Sequence, residues 1–262
     1  MRISTRVREA VVPLAGTDAG RAQLSTGAGG DRTLELDRAA EAAVFKELDR
    51  LAAGGERFSV LSEEAGLIRH GADYPLVLVD PVDGSLNAQQ GVPFFAVMLA
   101  LLDGPTVGET TVGCVVNLIN GETWTAIGGH GASRAGRPLK VIARESGSRL
   151  GLVALESTPR SISVAGGLVA RAGKIRILGS MALAIVHTAA GAFDAFCAPL
   201  PMRVFDMTAS LLVLAEAGGV ATDMEGRALG SLTGRLDSRT SLVCAPSAEL
   251  HAAAMRALAE PR

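Results

Sequence analysis

Apolar residues at Leu36, Ala40, Ala43, Val44, Leu48 and Leu51 recur at spacings of three and four, the stripe of one helix that Gly54-Gly55 stops. Before it, Ile3 to Leu14 reads as a shorter helix ending near Pro13, followed by the glycine-rich loop Gly27-Ala28-Gly29-Gly30-Asp31. Phe58 to Leu61 is a brief strand running into Ser62-Glu63-Glu64. Leu76-Val77-Leu78-Val79 is apolar at consecutive positions, the pattern of a strand covered on both faces. It breaks off at Asp80-Pro81-Val82-Asp83-Gly84-Ser85. Further strands are expected at 96–102, 112–117 and 123–127, with Asn120-Gly121 as a hairpin turn. This half predicts helices packed on a largely antiparallel sheet.

The pattern changes over residues 128–149, where Gly128-Gly129-His130-Gly131 leads into Arg134, Arg137, Lys140, Arg144 and Arg149. Such a passage marks a junction, here between an N-terminal α+β lobe (1–135) and a C-terminal α/β lobe (136–262). Beyond it strands are expected at 150–155, 174–178 and 193–197. Ser180 caps a helix to about Ala190, Asp206 opens one to Ala217 that Gly218-Gly219 stops, and Ser247 caps a last one to Leu258. Strands alternating with helices make the fold class α/β. The sequence carries no internal repeat.

Composition narrows the classes of function. Of 262 residues, 25 are Lys or Arg and 27 Asp or Glu, a net charge of −2, without the basic excess of a nucleic-acid binder. With 48% hydrophobic and 20% charged residues the chain can bury a core, which excludes disorder. The longest apolar run, Phe94 to Leu102, is too short to cross a bilayer. The first residues lack the apolar stretch of a signal peptide, so the cytoplasm is the expected location. Cys114, Cys197 and Cys244 are odd in number and widely spaced, and read as small buried hydrophobes. Only 3% of residues are aromatic, too few for a base-stacking platform.

The candidate chemistry lies where the 76–79 strand breaks off. Asp80 and Asp83 converge if Pro81 and Val82 form a turn, and Gly84 lets the chain leave that turn at any angle. Ser85 then starts a helix whose free N–H groups suit a phosphate. Taken alone, the same residues also describe an Asx turn and helix cap. Glu63-Glu64, at the end of the preceding strand, reaches the same edge if the two strands are neighbours. Clustered carboxylates repel one another, and a hard divalent cation relieves that repulsion. Oxygen-only donors, with no His or Cys nearby, favour Mg²⁺ over Zn²⁺.

Ser62-Glu63-Glu64, then Asp80-Pro81-Val82-Asp83-Gly84-Ser85-Leu86-Asn87, then Val204-Phe205-Asp206-Met207-Thr208-Ala209 with Glu216-Ala217-Gly218-Gly219 resemble, in that order, the three signatures of the inositol monophosphatase family. The likeness runs from about Gly27 to Gly219 and is greatest to archaeal-type members acting on both inositol phosphates and fructose 1,6-bisphosphate. The resemblance implies a layered α-β-α-β-α sandwich of the sugar phosphatase type and a phosphoric monoester hydrolase. Glu63, Asp80, Asp83, Asp206 and the Val82 carbonyl match metal ligands for two or three Mg²⁺, with Mn²⁺ as the alternative ion. Asp37, Glu63 and the Ser85 hydroxyl match the groups that orient and activate the attacking water. Gly84 and Ser85 match the phosphate cradle, and Gly179-Ser180-Met181 the loop that meets a substrate hydroxyl. The substrate would be a small phosphorylated polyol or sugar, the assembly a homodimer, with no nucleic-acid or membrane partner.

Each residue also has a plainer reading. Asp206 is a helix N-cap, Asp37 a first-turn acid favoured by the helix dipole, and Ser180 a helix cap. Arg203 either contacts a second phosphate or neutralises the acid cluster. Ser85 replaces the family's more usual threonine, keeping the hydroxyl. Ala198-Pro199-Leu200-Pro201 stands where the family often has an acid that contacts an inositol hydroxyl. Thr33 and Asp31 resemble the loop that positions a third metal. Two other functions fit the same motifs: a phosphatase acting on 3′-phosphoadenosine or NADP, and a silent relative that binds phosphate or metal for regulation.

Overall fold

Along the strand Ala96–Leu102, Ala96, Met98, Ala100 and Leu102 enter one core while Val97 and Leu99 enter another. That two-sided burial explains the uninterrupted apolar runs, and it comes from a layered arrangement. The structure, a computed structural model, describes residues 2–28, 32–140, 150–156 and 158–260. In chain order the strands are β1 (Gln23–Thr26), β2 (Arg32–Leu34), β3 (Phe58–Ser62), β4 (Gly66–Asp83), β5 (Ala96–Leu102), β6 (Thr110–Asn117) and β7 (Thr123–Ile127). They continue as β8 (Gly131–Arg134), β9 (Arg137–Leu139), β10 (Leu152–Leu155), β11 (Lys174–Ile177), β12 (Ala195–Arg203), β13 (Val220–Thr222) and β14 (Arg239–Ala245). The helices are α1 (Arg2–Val11), α2 (Glu35–Ala53), α3 (Ser85–Gln90), α4 (Pro159–Val164), α5 (Gly166–Arg171), α6 (Met181–Ala189), α7 (Thr208–Glu216) and α8 (Ala248–Ala259).

Strands β3 to β9 form a seven-stranded sheet in sequence order. The long β4 bends near Gly71, at φ +82°, and both of its arms flank β3: Ser62 pairs with Gly66 and with Val79. A second sheet of five strands has the order β11-β10-β12-β14-β13, with β10 parallel to both neighbours and β14 antiparallel to both of its own. The apolar faces of α1 and α2 cover the outer face of the first sheet through Val7, Val11, Leu36, Ala40, Val44 and Leu48. Helices α6 and α7 lie between the sheets, and α5 and α8 cover the outer face of the second. The order of layers is therefore α-β-α-β-α, as expected.

Several local expectations are corrected. The hairpin expected at Asn120-Gly121 is present but longer than two residues: Leu118 to Glu122 join the antiparallel β6 and β7, and the Asn117 side chain accepts from Ile119 N–H. Within the glycine- and arginine-rich passage, Gly131–Arg134 and Arg137–Leu139 are strands that extend the first sheet. Its remainder, 141–149, lies outside the described residues, as does Asp31 of the glycine-rich loop. The strand expected at 193–197 continues to Arg203 through Pro199 and Pro201. The prolines are tolerated because the β12–β14 register breaks between Ala198 and Met202. Asp206 caps no helix: it sits in the 3₁₀ turn Phe205–Met207, and α7 begins after it at Thr208.

Candidate active site

Residues three apart on a regular strand point to opposite faces. Asp80 and Asp83 escape this because β4 carries one extra residue there. Asp80 pairs with Met98 and Asp83 with Ala96, two positions apart on β5, so the bulge at Pro81-Val82 returns both acids to one face. The Val82 N–H donates to Asp80 Oδ1 at 3.0 Å, so the Asx turn is present and serves to aim the acid.

Three of the acids singled out above meet. Glu63, at the end of β3, Asp80, and Asp206, in the turn after β12, each bring a carboxylate oxygen within 4.8 Å of the other two. Two sheets thus supply one cluster. Burial pushes the Glu63 carboxyl up to about 8, with Asp206, Glu64, Asp37 and Asp83 adding to the rise. Asp80 is held well above its ordinary value, first by burial and then by Glu63, Asp83 and Asp206. Burial raises Asp206 to about 6 against the opposing pull of Arg203 and Arg239. The Arg203 guanidinium pairs with Glu63 Oε1, the contact that the neutralising reading requires.

Asp83 does not join that trio. Its carboxylate turns to the start of α6, accepting from Ser180 Oγ, from Met181 N–H at 3.1 Å and from Ala182 N–H at 3.0 Å. Burial still raises it to about 7 against the Ser180 hydrogen bond. Ser180 is 1% exposed, and its hydroxyl also accepts from Leu183 N–H. The helix-cap reading of Ser180 therefore holds, and its hydroxyl also donates to Asp83. Gly84 begins the next turn at φ +89°, where a Cβ would stand 3.0 Å from the Gly179 carbonyl oxygen. Only glycine fits both the angle and that approach. Ser85 follows as the half-buried first residue of α3.

Asp37 remains apart from the trio as well. It is the third residue of α2 and accepts from Leu34 N–H at 3.0 Å, a capping interaction, with burial raising it to about 6. Its charge nevertheless reaches Glu63, which places it beside the cluster. Two supporting side chains escaped the sequence reading. Glu41, one turn beyond Asp37, accepts from Ser62 Oγ and from Ala65 N–H, fixing the turn that presents Glu63. The Asn87 amide donates to Phe94 O at 2.8 Å and Leu178 O at 2.7 Å, tying the Gly84 turn to the Gly179 loop. The i, i+4 spacing of Asp37 and Glu41 was the available signal for the first; nothing local signals the long-range bonds of the second. Thr33 donates to Glu64, which draws the β1–β2 ribbon onto the turn beside Glu63.

The residues fit a hard cation. Asp206 Oδ1 is buried with no hydrogen-bond partner, and its surroundings in the cluster are carboxylate oxygens. An acceptor with no donor, among other acceptors, is satisfied by a metal ion. A layered sandwich that brings acids from both sheets to such a cluster defines a class of proteins with a carboxylate-lined cation site between two sheets.

Comparison with known proteins specifies the class. The family model described as the inositol monophosphatase family matches residues 6–261, and the chain belongs to that family. It is accordingly a phosphoric monoester hydrolase of a metal-dependent family. It is 33% identical, over 98% of its length and 94% of the relative's, to a fructose-1,6-bisphosphatase/inositol-1-monophosphatase of Methanothermobacter thermautotrophicus. It is 33% identical to a Pseudomonas aeruginosa protein named Nus factor SuhB, over 75% of this chain and 73% of that one. Among solved structures, an inositol monophosphatase–fructose 1,6-bisphosphatase superposes with a TM-score of 0.84 at 25% identity, covering 97% of this chain and 96% of that one.

Proposed function

We propose that the protein hydrolyses inositol monophosphate, fructose 1,6-bisphosphate or both, with Mg²⁺ held at Glu63, Asp80, Asp206, Asp83 and the Val82 carbonyl. The observation that carries this reading is the unpartnered Asp206 Oδ1 within the three-carboxylate cluster. Bound there, Mg²⁺ would lower the pKa of water and stabilise charge on phosphoryl and leaving oxygens. Glu63, with Asp37 and the Ser85 hydroxyl, would orient that water for in-line attack on phosphorus and take its proton. The Gly84-Ser85 turn would receive the phosphate, with the Gly179–Met181 loop holding the rest of the substrate. Pro199-Leu200-Pro201 offers no acid to an inositol hydroxyl, which favours the fructose bisphosphate. The enzyme acts in the cytoplasm as a homodimer.

The regulatory reading has one specific observation behind it, the likeness to a relative named for a Nus factor. Phosphate release from inositol 1-phosphate, fructose 1,6-bisphosphate, 3′-phosphoadenosine 5′-phosphate and NADP, with Mg²⁺ and with EDTA, separates the candidates. Metal-dependent release from one of the first two supports the proposal. Turnover of the nucleotides alone reassigns the substrate, and metal binding without turnover of any ester leaves the regulatory reading.

A further inference from the structure

The cluster already holds a cation, and it belongs to the chain. Arg203 ends β12 in the second sheet, while Glu63 follows β3 in the first, 140 residues away in sequence. The guanidinium crosses between the sheets to Glu63 Oε1, with the Arg and Glu side chains only 14% and 21% exposed. Arg203 stands three residues before Asp206, and the intervening turn is fixed by Val204 N–H donating to Ser238 O and Met207 N–H donating to Val204 O. The same short turn therefore delivers one carboxylate to the cluster and one positive charge to its neighbour. Three acids within 4.8 Å need positive charge, and a guanidinium and a metal ion would seek the same Glu63 carboxylate.

We infer that Arg203 is a resident counterion that competes with the metal: it holds the two sheets' acids together when the metal is absent and lowers the affinity with which the metal enters. This rests on reading the cluster as a metal centre. The competition is between charges of like sign for one carboxylate, so it depends on the charge of residue 203 more than on its shape. Arg239, paired opposite Arg203 across β12 and β14, remains in any single variant and keeps the second sheet's edge positive.

Calorimetric titration of the purified metal-free protein with Mg²⁺ and Mn²⁺ tests this, read beside thermal unfolding in EDTA. Arg203→Met should bind metal at least tenfold tighter, roughly 1.4 kcal/mol, and melt lower than the parent in EDTA. Arg203→Lys, which keeps the charge, should stay within about threefold of the parent on the same scale. If Arg203→Met does not fold, Arg203→Gln carries the same expectation. Affinity unchanged or weaker in the neutral variant overturns the inference. Absence of metal binding by the folded parent protein would instead remove the metal-centre reading, and Glu63→Gln, expected to weaken binding, verifies that the heat observed comes from this cluster.

Discussion

Removing the negative charge of Asp206 should stabilise the protein when metal is absent and abolish the stabilisation that metal supplies. Asp206 Oδ1 is buried and unpartnered, and its carboxyl lies near 6 against an ordinary 3.8. An acid whose value is raised on folding keeps a proton in the native state that the unfolded chain releases. Its contribution to stability is therefore lost as pH rises from about 3.8, and the loss is complete above about 6. At about 1.4 kcal/mol per unit, the ionised Asp206 costs the metal-free protein on the order of 3 kcal/mol at pH 7.5. Asp206→Asn keeps the shape and can donate to Glu63 or Asp80. In EDTA at pH 7.5 it should melt roughly 6–12 °C above the parent, given about 2–4 °C per kcal/mol for a chain of this size. At pH 4 the gap should fall below about 1 kcal/mol, because Asp206 is then nearly neutral in the folded parent. Saturating Mg²⁺ should reverse the order, raising the parent and leaving the variant unmoved. Differential scanning fluorimetry over pH 4–8, with and without Mg²⁺, provides the comparison. An Asp206→Asn protein no more stable than the parent in EDTA at pH 7.5 would refute the claim that this carboxylate's charge is only partly compensated.

Gly84→Ala should cost about 1–3 kcal/mol from the left-handed angle and the approach to Gly179, and lower turnover, both measurable by urea unfolding and phosphate release. Ser180→Ala removes a helix cap and the hydroxyl bonded to Asp83, for a loss of about 1–2 kcal/mol and weaker metal binding; an unaltered titration would contradict the link. Asp83→Asn should abolish activity with an unchanged circular dichroism spectrum, since one amide oxygen can still accept from the start of α6. Cys197 and Cys244, buried and with thiols pushed up, to about 12 for Cys197, should resist a thiol-specific reagent until the protein unfolds, whereas rapid labelling of both in the native state would contradict that burial.

Elements whose burial follows their own period were the most legible in sequence. The run 76–79 and the periodic stripe of α2 each show their partner surfaces through their own hydrophobic pattern. The acids of the cluster were legible as residues, because Glu63, Asp80 and Asp206 each stand where an apolar element ends. Their meeting was not, since the bulge that aligns Asp80 with Asp83 exists only in the register against β5. Pro199 and Pro201 disguised the second half of β12, whose ladder lapses at just those positions. Asp206 looked like a cap because an acid before an apolar helix usually is one. In the folded chain it is half-buried in the 3₁₀ turn before α7, with its Oδ1 enclosed, and Met207 stands at the N-cap instead. Glu41 and Asn87 act through long-range bonds to Ser62 Oγ and to the Leu178 carbonyl, contacts that no local pattern encodes. Ser180 was legible as a cap, but its second bond, to Asp83, depends on the packing of α6 against the end of β4.

Acids from two sheets form one candidate cation site. Anomalous diffraction from crystals soaked in Mn²⁺ tests it most directly. A peak bonded to carboxylate oxygens of Glu63, Asp80 and Asp206 is expected, and it should be lost in Asp206→Asn crystals. Mn²⁺ bound only elsewhere, or a peak that persists without Asp206, would contradict it.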